Sequence, residues 1–215
     1  MTCKHCCGAD QLFDLKGAKK ELRKYKRKGP GNATKKLIDL MFNDDVTNKS
    51  LIDIGGGIGA IQWAFLKKGG KSVCDIDASN GYIAVAKTFA EEQGYGENVR
   101  FVQGDFVDKS IEISNSDYTT LDKVICCYPD YKSLLSATLK KCNSTIGIVY
   151  PFGGLLPKAV AKLEMIYFWI RNIQFGTYIH NPKEVEKFVL DQGFEIIEKS
   201  TSFLWHIQVY RKKGI

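Results

Sequence analysis

Short apolar runs alternate with helical patterns through the middle of the chain. In the helical stretches, apolar residues recur at intervals of three and four, which places them on one face of a helix. The apolar runs have the length of buried strands. This alternation predicts a parallel sheet whose strands are joined by right-handed helical crossovers. The predicted strands cover residues 50–54, 72–76, 99–103, 122–127 and 144–150, and the predicted helices cover residues 58–68, 81–93 and 132–141.

The last third of the chain follows a different pattern. An apolar segment over residues 155–179 also contains four charged residues, which is too much charge for a membrane-spanning helix: Lys158, Lys162, Glu164 and Arg171. A helix over 182–192, with Pro182 in its first turn, comes next. Two strands over 194–200 and 205–211 are separated by a short turn, as in an antiparallel pair. The whole pattern predicts an α/β sheet of seven strands that is mostly parallel, with the last strand antiparallel and helices on both faces.

The first 36 residues differ from the rest of the chain in charge. They contain eleven Lys and Arg but only three Asp and Glu, whereas residues 37–215 are close to neutral and the whole chain carries +7. Because the charge is concentrated in one arm, the composition disfavours a protein that coats nucleic acid. Residues 1–10 are expected to form a loop, and a second helix is expected over 34–42, with Asn32 or Thr34 as its N-cap. An apolar stripe predicts a first helix over 11–28: Leu12, Leu15, Ala18, Leu22 and Tyr25.

A glycine-rich loop follows the first predicted strand in the sequence LIDIGGGIG, residues 51–59. Glycines allow the backbone to approach a ligand closely, and the helix that follows offers free N–H groups. A dinucleotide site expects a third glycine where this chain has Gln62. The carboxyl group of Asp53, just before the glycines, is suited to a cationic amino group rather than to a pyrophosphate. The loop is therefore predicted to bind a nucleoside with a cationic tail.

The arrangement D-x-G-x-G-x-G resembles motif I of the class I S-adenosylmethionine (SAM)-dependent methyltransferases, and later residues resemble the same family in order. The resemblance implies a Rossmann-like fold and SAM as cofactor, with S-adenosylhomocysteine as product. It implies that Asp77 binds the ribose, with Asp75 as the alternative, and that Asp105 and Phe106 contact the adenine. The implied cofactor-binding residues are Asp53, Gly55, Gly56, Gly57, Gly59, Asp77, Ala78, Asp105, Phe106 and Cys127, the last lying after the fourth strand beside the transferable methyl group.

Methyl transfer from a sulfonium is an in-line displacement, so the enzyme mainly aligns the acceptor with the methyl carbon. A general base is needed only when the acceptor is protonated at neutral pH. The catalytic candidates are Tyr128 after the fourth strand, Tyr150 at the end of the fifth and His180 before the last helix. Each has a structural alternative, as a packing aromatic or as a turn residue. Asp130 is expected to cap the helix that follows it.

The apolar segment 155–178 lies where this family usually builds its acceptor pocket, which favours a large apolar or aromatic acceptor. The alternatives are a helix that covers the sheet and a surface patch that contacts a membrane or a second copy of the chain. More weakly, the chain resembles the methyltransferases that esterify a propionate of magnesium protoporphyrin. That likeness is carried by the basic N-terminal helix, the Tyr128-Pro129 pair and the Ile-His-x-Pro run around His180.

The resulting hypothesis is a methyltransferase that acts on a small acceptor, apolar or aromatic, with or without an anionic group, most simply at oxygen. Residues 1–36 would form a cysteine-rich tail and a basic helical lid, and residues 37–215 the methyltransferase domain. Peripheral membrane contact is compatible with this reading, and nucleic acid is not an expected partner. An RNA methyltransferase and a non-catalytic SAM-binding protein are the competing classes. The sequence after the fourth strand lacks the Asn-Pro-Pro-Tyr motif of base methylation.

Seven cysteines and the lack of an apolar leader at the start indicate free thiols and a cytoplasmic protein. Cys3, His5, Cys6 and Cys7 offer four soft ligands within five residues. A structural zinc site usually needs two separate pairs, and a second pair is not evident. No metal is therefore predicted, and the cysteines are interpreted as a reduced tail.

Overall fold

The computed structural model describes residues 4–214, except for the side chains of Lys4, His5, Leu155 and Leu156. Its centre is a sheet of seven strands in the order β3-β2-β1-β4-β5-β7-β6. The first five strands are parallel, and β7 runs antiparallel to both of its neighbours. This confirms the predicted fold class. The strands are β1 Ser50–Ile54, β2 Ser72–Asp77, β3 Val99–Gln103, β4 Ser116–Asp122, β5 Cys142–Pro151, β6 Phe194–Ser202 and β7 Trp205–Lys212.

Helices cover both faces of the sheet and bury one apolar core on each. On one face, Leu37, Trp63 and Phe89 pack together, and on the other Leu135 and Val185 do so. None of the described helices is long and apolar enough to cross a membrane. The helices are α1 Lys4–Leu12, α2 Leu15–Lys28, α3 Asn32–Met41, α4 Ala60–Lys67, α5 Asn80–Glu92, α6 Phe106–Lys109, α7 Tyr131–Lys141, α8 Leu155–Ile170 and α9 Pro182–Asp191.

The fourth strand is displaced from its predicted place. It occupies Ser116–Asp122, whereas the apolar run at 122–127 forms a loop with one turn of 3-10 helix over Ile125–Cys127. The strand is polar in sequence because its hydroxyl groups find partners inside the protein. Thr120, for example, is fully buried and donates to Asp53 across the sheet. A buried polar residue with a hydrogen-bond partner is tolerated in a strand. The spacing of apolar residues therefore does not reveal this strand.

The N-terminal region also differs from the prediction. Residues 4–12 form a helix rather than a loop, and the expected helix over 11–28 is broken at Asp14, whose side chain caps α2 by accepting from Gly17 N at 2.7 Å. Helix α3 starts after Gly31 without a side-chain cap, so neither Asn32 nor Thr34 has the expected role. Instead, the Thr34 hydroxyl donates to Asp122 at the end of β4.

Helices α1 and α2 pack along the start of α5. Ala18 of α2 is fully buried against Ile58 and Val85, while the Tyr82 hydroxyl donates to Glu21 at 2.7 Å. The basic side chains of α2 lie on its exposed part. The N-terminal helices therefore cover the carboxyl edge of the sheet near β1 and β2.

Candidate active site

A cavity of about 1320 Å³ opens at the carboxyl edge of the sheet, where the tips of β1, β2, β3 and β4 meet. The glycine loop forms its floor, and α1 and α2 form its roof. Open parallel sheets bind ligands at this edge, next to the point where the strand order reverses. Here that point lies between β1 and β4. The cavity is large enough for a nucleoside and an acceptor together.

Two glycines of the loop are required by their close neighbours. A Cβ on Gly56 would lie 2.4 Å from the Asp75 Oδ1 atom and 2.4 Å from the Gln62 Nε2 atom. Gly59 has φ +83° and starts α4, and a Cβ there would lie 2.3 Å from the Trp63 ring. Gly55, Gly56 and Gly57 line the cavity, whereas Gly59 does not. The first three glycines thus present backbone to a ligand, and Gly59 lets the helix begin.

Asp77 lies at the tip of β2, on the wall of the cavity. Its Oδ1 atom accepts from Ser79 N at 2.8 Å and its Oδ2 atom from Gly57 N at 3.0 Å. Burial raises the pKa of this carboxyl, and the two backbone N–H groups oppose that rise. A carboxylate has about four acceptor positions, so two remain for a pair of hydroxyl groups. Ala78 lines the cavity beside it.

Asp53 and Asp75 are neighbours on adjacent strands, and both side chains are buried. Asp53 accepts from the Thr120 hydroxyl at 2.5 Å and from the Gln62 amide at 3.2 Å, and burial raises its pKa to about 7. Burial also raises the pKa of Asp75, which lies beneath Gly56 and does not line the cavity. The geometry therefore favours Asp77 over Asp75 as a ribose ligand.

Asp105 follows β3 and caps α6, where its Oδ1 atom accepts from Val107 N at 2.8 Å. The Tyr128 hydroxyl lies 2.9 Å from both carboxylate oxygens, and the Cys6 Sγ atom lies 3.7 Å from Oδ2. Phe106 is buried in the core next to it and also lines the cavity. These contacts join α1, β3 and the loop after β4 into one wall.

The three catalytic candidates do not come together. Tyr128 lines the cavity, as does Cys127. Tyr150 was expected to line it, but the side chain is buried in the core and donates to Gln208 Oε1 at 2.8 Å. His180 lies 2.7 Å from the Ile125 carbonyl oxygen through Nε2 and does not line the cavity either. Because a carbonyl only accepts, Nε2 carries the proton.

Tyr150 and His180 therefore have structural contacts where acceptor contacts were expected. Strand β5 is central and covered on both faces, so a side chain at its end still falls within a core. His180 packs its ring 4.1 Å from that of Tyr131, and burial lowers its pKa. Asp130, in contrast, caps α7 through Ser133 N at 3.1 Å, as predicted.

The structure adds a cluster that the sequence did not reveal. Lys123, just after β4, has φ +64°, and its ammonium group lies 2.9 Å from Asp122 Oδ1 and 2.9 Å from the Thr34 hydroxyl. It also lies 5.6 Å from the centre of the Trp205 ring. All four residues line the cavity. A long side chain in left-handed backbone is strained, and such strain is most often retained at functional sites.

The remaining walls are cationic on one side and apolar on the other. Helix α8 and the segment after it contribute Phe168 and Phe175, and the Phe175 ring lies 5.6 Å from both Phe168 and Phe13 of the lid. These rings close the cavity between α8 and the lid. Four cations of α2 lie along its mouth: Lys20, Arg23, Lys24 and Arg27.

The cysteine-rich start can be judged only in part. Cys3 and the side chain of His5 lie outside the described residues. Cys6 is buried and Cys7 is exposed. The Sγ atoms of Cys126 and Cys127 lie 3.7 Å apart. Across the described part of the chain, no three His, Cys, Asp or Glu side chains are arranged to hold a metal ion.

Comparisons with known proteins agree with this geometry. Residues 11–194 match the family model of the O-methyltransferase domain. No curated protein sequence gives a significant match. Magnesium protoporphyrin IX methyltransferase from Synechocystis, solved with S-adenosylhomocysteine, superposes with a TM-score of 0.73 at 18% identity over 95% of this chain and 98% of that one.

Two further structures have the same fold. An O-methyltransferase family protein from Burkholderia thailandensis has a TM-score of 0.67 and 12% identity, covering 94% of this chain and 63% of that one. A candidate RNA methyltransferase from Pyrococcus horikoshii has a TM-score of 0.62 and 17% identity, covering 86% of this chain and 84% of that one. The likeness at these identities is one of fold.

Proposed function

The chain belongs to the O-methyltransferase domain family, and from that membership we propose that it methylates an oxygen of a small, apolar or aromatic acceptor that carries an anionic group. The chain is a SAM-dependent methyltransferase by family and fold. What the proposal adds is the acceptor. The observation that carries it is the division of one cavity into a glycine-and-carboxylate wall and an aromatic, cationic wall.

The first wall fits SAM. Asp77 has acceptor positions left for the two ribose hydroxyls, and the methionine part would lie against Gly55 to Gly57, which line the cavity. The buried carboxyl of Asp53 beneath them is suited to the cationic end. Asp105 and Phe106 border the space where the adenine would lie. SAM supplies a methyl group on a positively charged sulfur.

The second wall is suited to an aromatic acid. Phe168 and Phe175 offer ring faces, and Lys123 with the cations of α2 offers donors to a carboxylate. A carboxylate is ionised at neutral pH and needs no general base. This fits a site in which the Tyr128 hydroxyl is already committed to Asp105. The contribution of the protein is then to align the reactants and to exclude water.

Magnesium protoporphyrin IX, named in the similar Synechocystis enzyme, is the first acceptor to test. It is flat, aromatic and carries two carboxylates. We also propose that the protein works in the cytoplasm, a reducing compartment, since none of Cys7, Cys74, Cys126, Cys127 and Cys142 forms a disulfide among the described residues.

The test has two steps. Calorimetry with SAM should give binding by the wild type and a large loss with Asp77→Ala. Labelled SAM is then incubated with magnesium protoporphyrin IX, and separately with cell extract divided into small-molecule, protein and RNA fractions. Label in an ester of a small acid supports the proposal. Label mainly in RNA would overturn the acceptor class, and lack of SAM binding by the wild type would overturn the cofactor site.

A further inference from the structure

Helix α8 leaves most of its apolar side chains exposed. Trp169 is 82% exposed, Ile170 68% and Leu163 67%, while Ala161 and Phe168 are the buried apolar side chains described in this helix. Helices of water-soluble domains normally turn an apolar stripe toward the core and a polar face outward. Here one narrow strip packs inward, and the outer face is also apolar. An exposed apolar surface of this kind marks a site of interaction.

The outer face has a defined arrangement. Leu163, Ile166 and Ile170 recur at intervals of three and four and therefore form one stripe. Lys158 and Lys162 are exposed beside that stripe. Trp169 and Tyr167 flank it, and both are more than half exposed. An apolar stripe between lysines and interfacial aromatics is the composition of a helix that lies in the plane of a membrane surface.

A second apolar group projects from the same edge of the sheet. Phe203, in the turn between β6 and β7, is 89% exposed and has φ +50°. That turn is tied to the segment before α8, because Phe152 N donates to the Leu204 carbonyl at 2.8 Å. Strands β5 and β6 both end at this edge, where the cavity also opens. The apolar helix, the exposed ring and the cavity mouth thus share one side of the molecule.

We propose that the outer face of α8, together with Phe203, docks on an anionic lipid bilayer. The apolar stripe would enter the boundary between headgroups and acyl chains, while Lys158 and Lys162 reach the phosphates. The cations of α2, which border the same cavity, add to the attraction. Docked in this way, the cavity faces the membrane, and an apolar acceptor reaches it from the lipid. This inference goes beyond the proposed function and requires neither SAM nor an identified acceptor.

Charge favours a bilayer over a second copy of the chain. Around the stripe the exposed charges are Lys158, Lys162 and Arg171, against the single acid Glu164. Two copies that met through this face about a two-fold axis would bring like charges together, which is destabilising. Anionic phosphates neutralise the same lysines. The surface is therefore complementary to a lipid headgroup layer and not to itself.

The experiment measures co-flotation of the full chain with vesicles at low salt. Vesicles of phosphatidylcholine alone are compared with vesicles that contain phosphatidylglycerol as well. We expect binding to the anionic vesicles and a loss of tenfold or more for the double variant Leu163→Asn/Trp169→Gln. Lys158→Gln/Lys162→Gln should weaken binding to anionic vesicles by roughly 25-fold, since each lysine near a charged membrane contributes about fivefold.

Ile111→Gln is the matched control. It removes an apolar side chain that is 87% exposed in the connection between β3 and β4, so its vesicle binding should equal that of the wild type. Thermal melting and SAM binding are measured for every variant to show that the fold and the cofactor site are intact. The inference is overturned if the wild type does not float with anionic vesicles, or if the α8 variants float equally well. It is also overturned if sedimentation shows a dimer that the Leu163→Asn/Trp169→Gln variant dissociates.

Discussion

The two walls of the cavity are built in opposite ways. Around the glycine loop, backbone groups and carboxyl groups contact one another closely. Asp77 accepts from two backbone N–H groups, Asp53 accepts from Thr120 and Gln62, and Gly56 packs against Asp75. Around α8, the side chains are long, aromatic or cationic and many are exposed. Under the proposed function, the first wall would hold a cofactor that is the same at every turnover. The second wall would recognise the acceptor through side chains that can change without disturbing the sheet.

The largest effect is expected from Asp77→Ala. SAM should bind at least about 100-fold more weakly, because each of two hydrogen bonds to a charged acceptor contributes about 1.5–3 kcal/mol. Calorimetry measures the affinity. Asp108→Ala removes an exposed acid from the neighbouring helix α6 and should bind SAM normally. If the two variants bind SAM equally well, the ribose assignment is wrong.

Gly56→Ala tests the rigidity of the same wall. The new Cβ would overlap Asp75 and Gln62 at 2.4 Å, so the variant should lose about 1–3 kcal/mol of unfolding free energy and most of its SAM affinity. Urea denaturation measures the first and calorimetry the second. At Gly96 an added Cβ meets only Glu91 at 3.5 Å, so Gly96→Ala should be close to neutral. A stable Gly56→Ala protein that binds SAM would show that the loop can shift to accommodate the added methyl group.

The buried carboxyls predict a pH dependence. The pKa of Asp53 is raised to about 7 by burial, so the folded chain keeps a proton that the unfolded chain releases near pH 4. Stability should therefore fall as pH rises from about 4 to 7, with a contribution of at most about 1.4 kcal/mol per pH unit from this group. Denaturation of Asp53→Asn between pH 5 and 8 should show a shallower decline.

Asp130→Asn is the control for that slope. The pKa of Asp130 is lowered by its hydrogen bonds to Ser133, so this carboxyl titrates below the pH window. Its removal should leave the decline between pH 5 and 7 as in the wild type. A decline that survives Asp53→Asn unchanged would assign the pH dependence to another group, with Asp75 as the next candidate.

The smallest effect on the fold is expected from Lys123→Gly. Glycine adopts φ +64° without strain, so the free energy of unfolding should stay level or rise by up to about 1 kcal/mol. Loss of the ammonium group should raise the KM for an anionic acceptor about tenfold and leave SAM affinity unchanged. Lys123→Arg should restore most of that KM. An equal loss of SAM affinity in Lys123→Gly would place the lysine on the cofactor wall instead.

Much of the fold followed from local pattern. Strands β1 and β3 lie where their apolar runs predict them, and the glycine loop between β1 and α4 is recognisable because its backbone geometry demands a particular residue type. The place of Asp77 on the cavity wall could be predicted for the same reason, since it lies at a strand end. Each of these features depends on residues close together in the chain, so a single sequence is enough to predict them.

What could not be predicted depends on contacts between distant residues. Strand β4 is polar because its buried hydroxyl groups have hydrogen-bond partners: Thr120 donates to Asp53 of β1, and Thr119 pairs with Ser116 of β4 itself. Tyr150 is turned into a core by the strands on either side of β5. The cluster of Lys123, Asp122 and Thr34 joins residues almost ninety positions apart. No spacing or composition encodes such a meeting.

The roof of the cavity has a consequence for turnover. Hydrogen bonds fasten the lid to the start of α5: Ser79 Oγ donates to the Phe13 carbonyl, the backbone and side-chain amides of Asn80 donate to Asp10, and the Tyr82 hydroxyl donates to Glu21. Under the proposed function, the nucleoside would lie beneath this fastening, and its release would then require the lid to open. The frequency of that opening would set a ceiling on kcat, above which faster chemistry brings no gain. An enzyme of this construction is expected to show a burst in its first turnover and a steady rate that slows in viscous solvent.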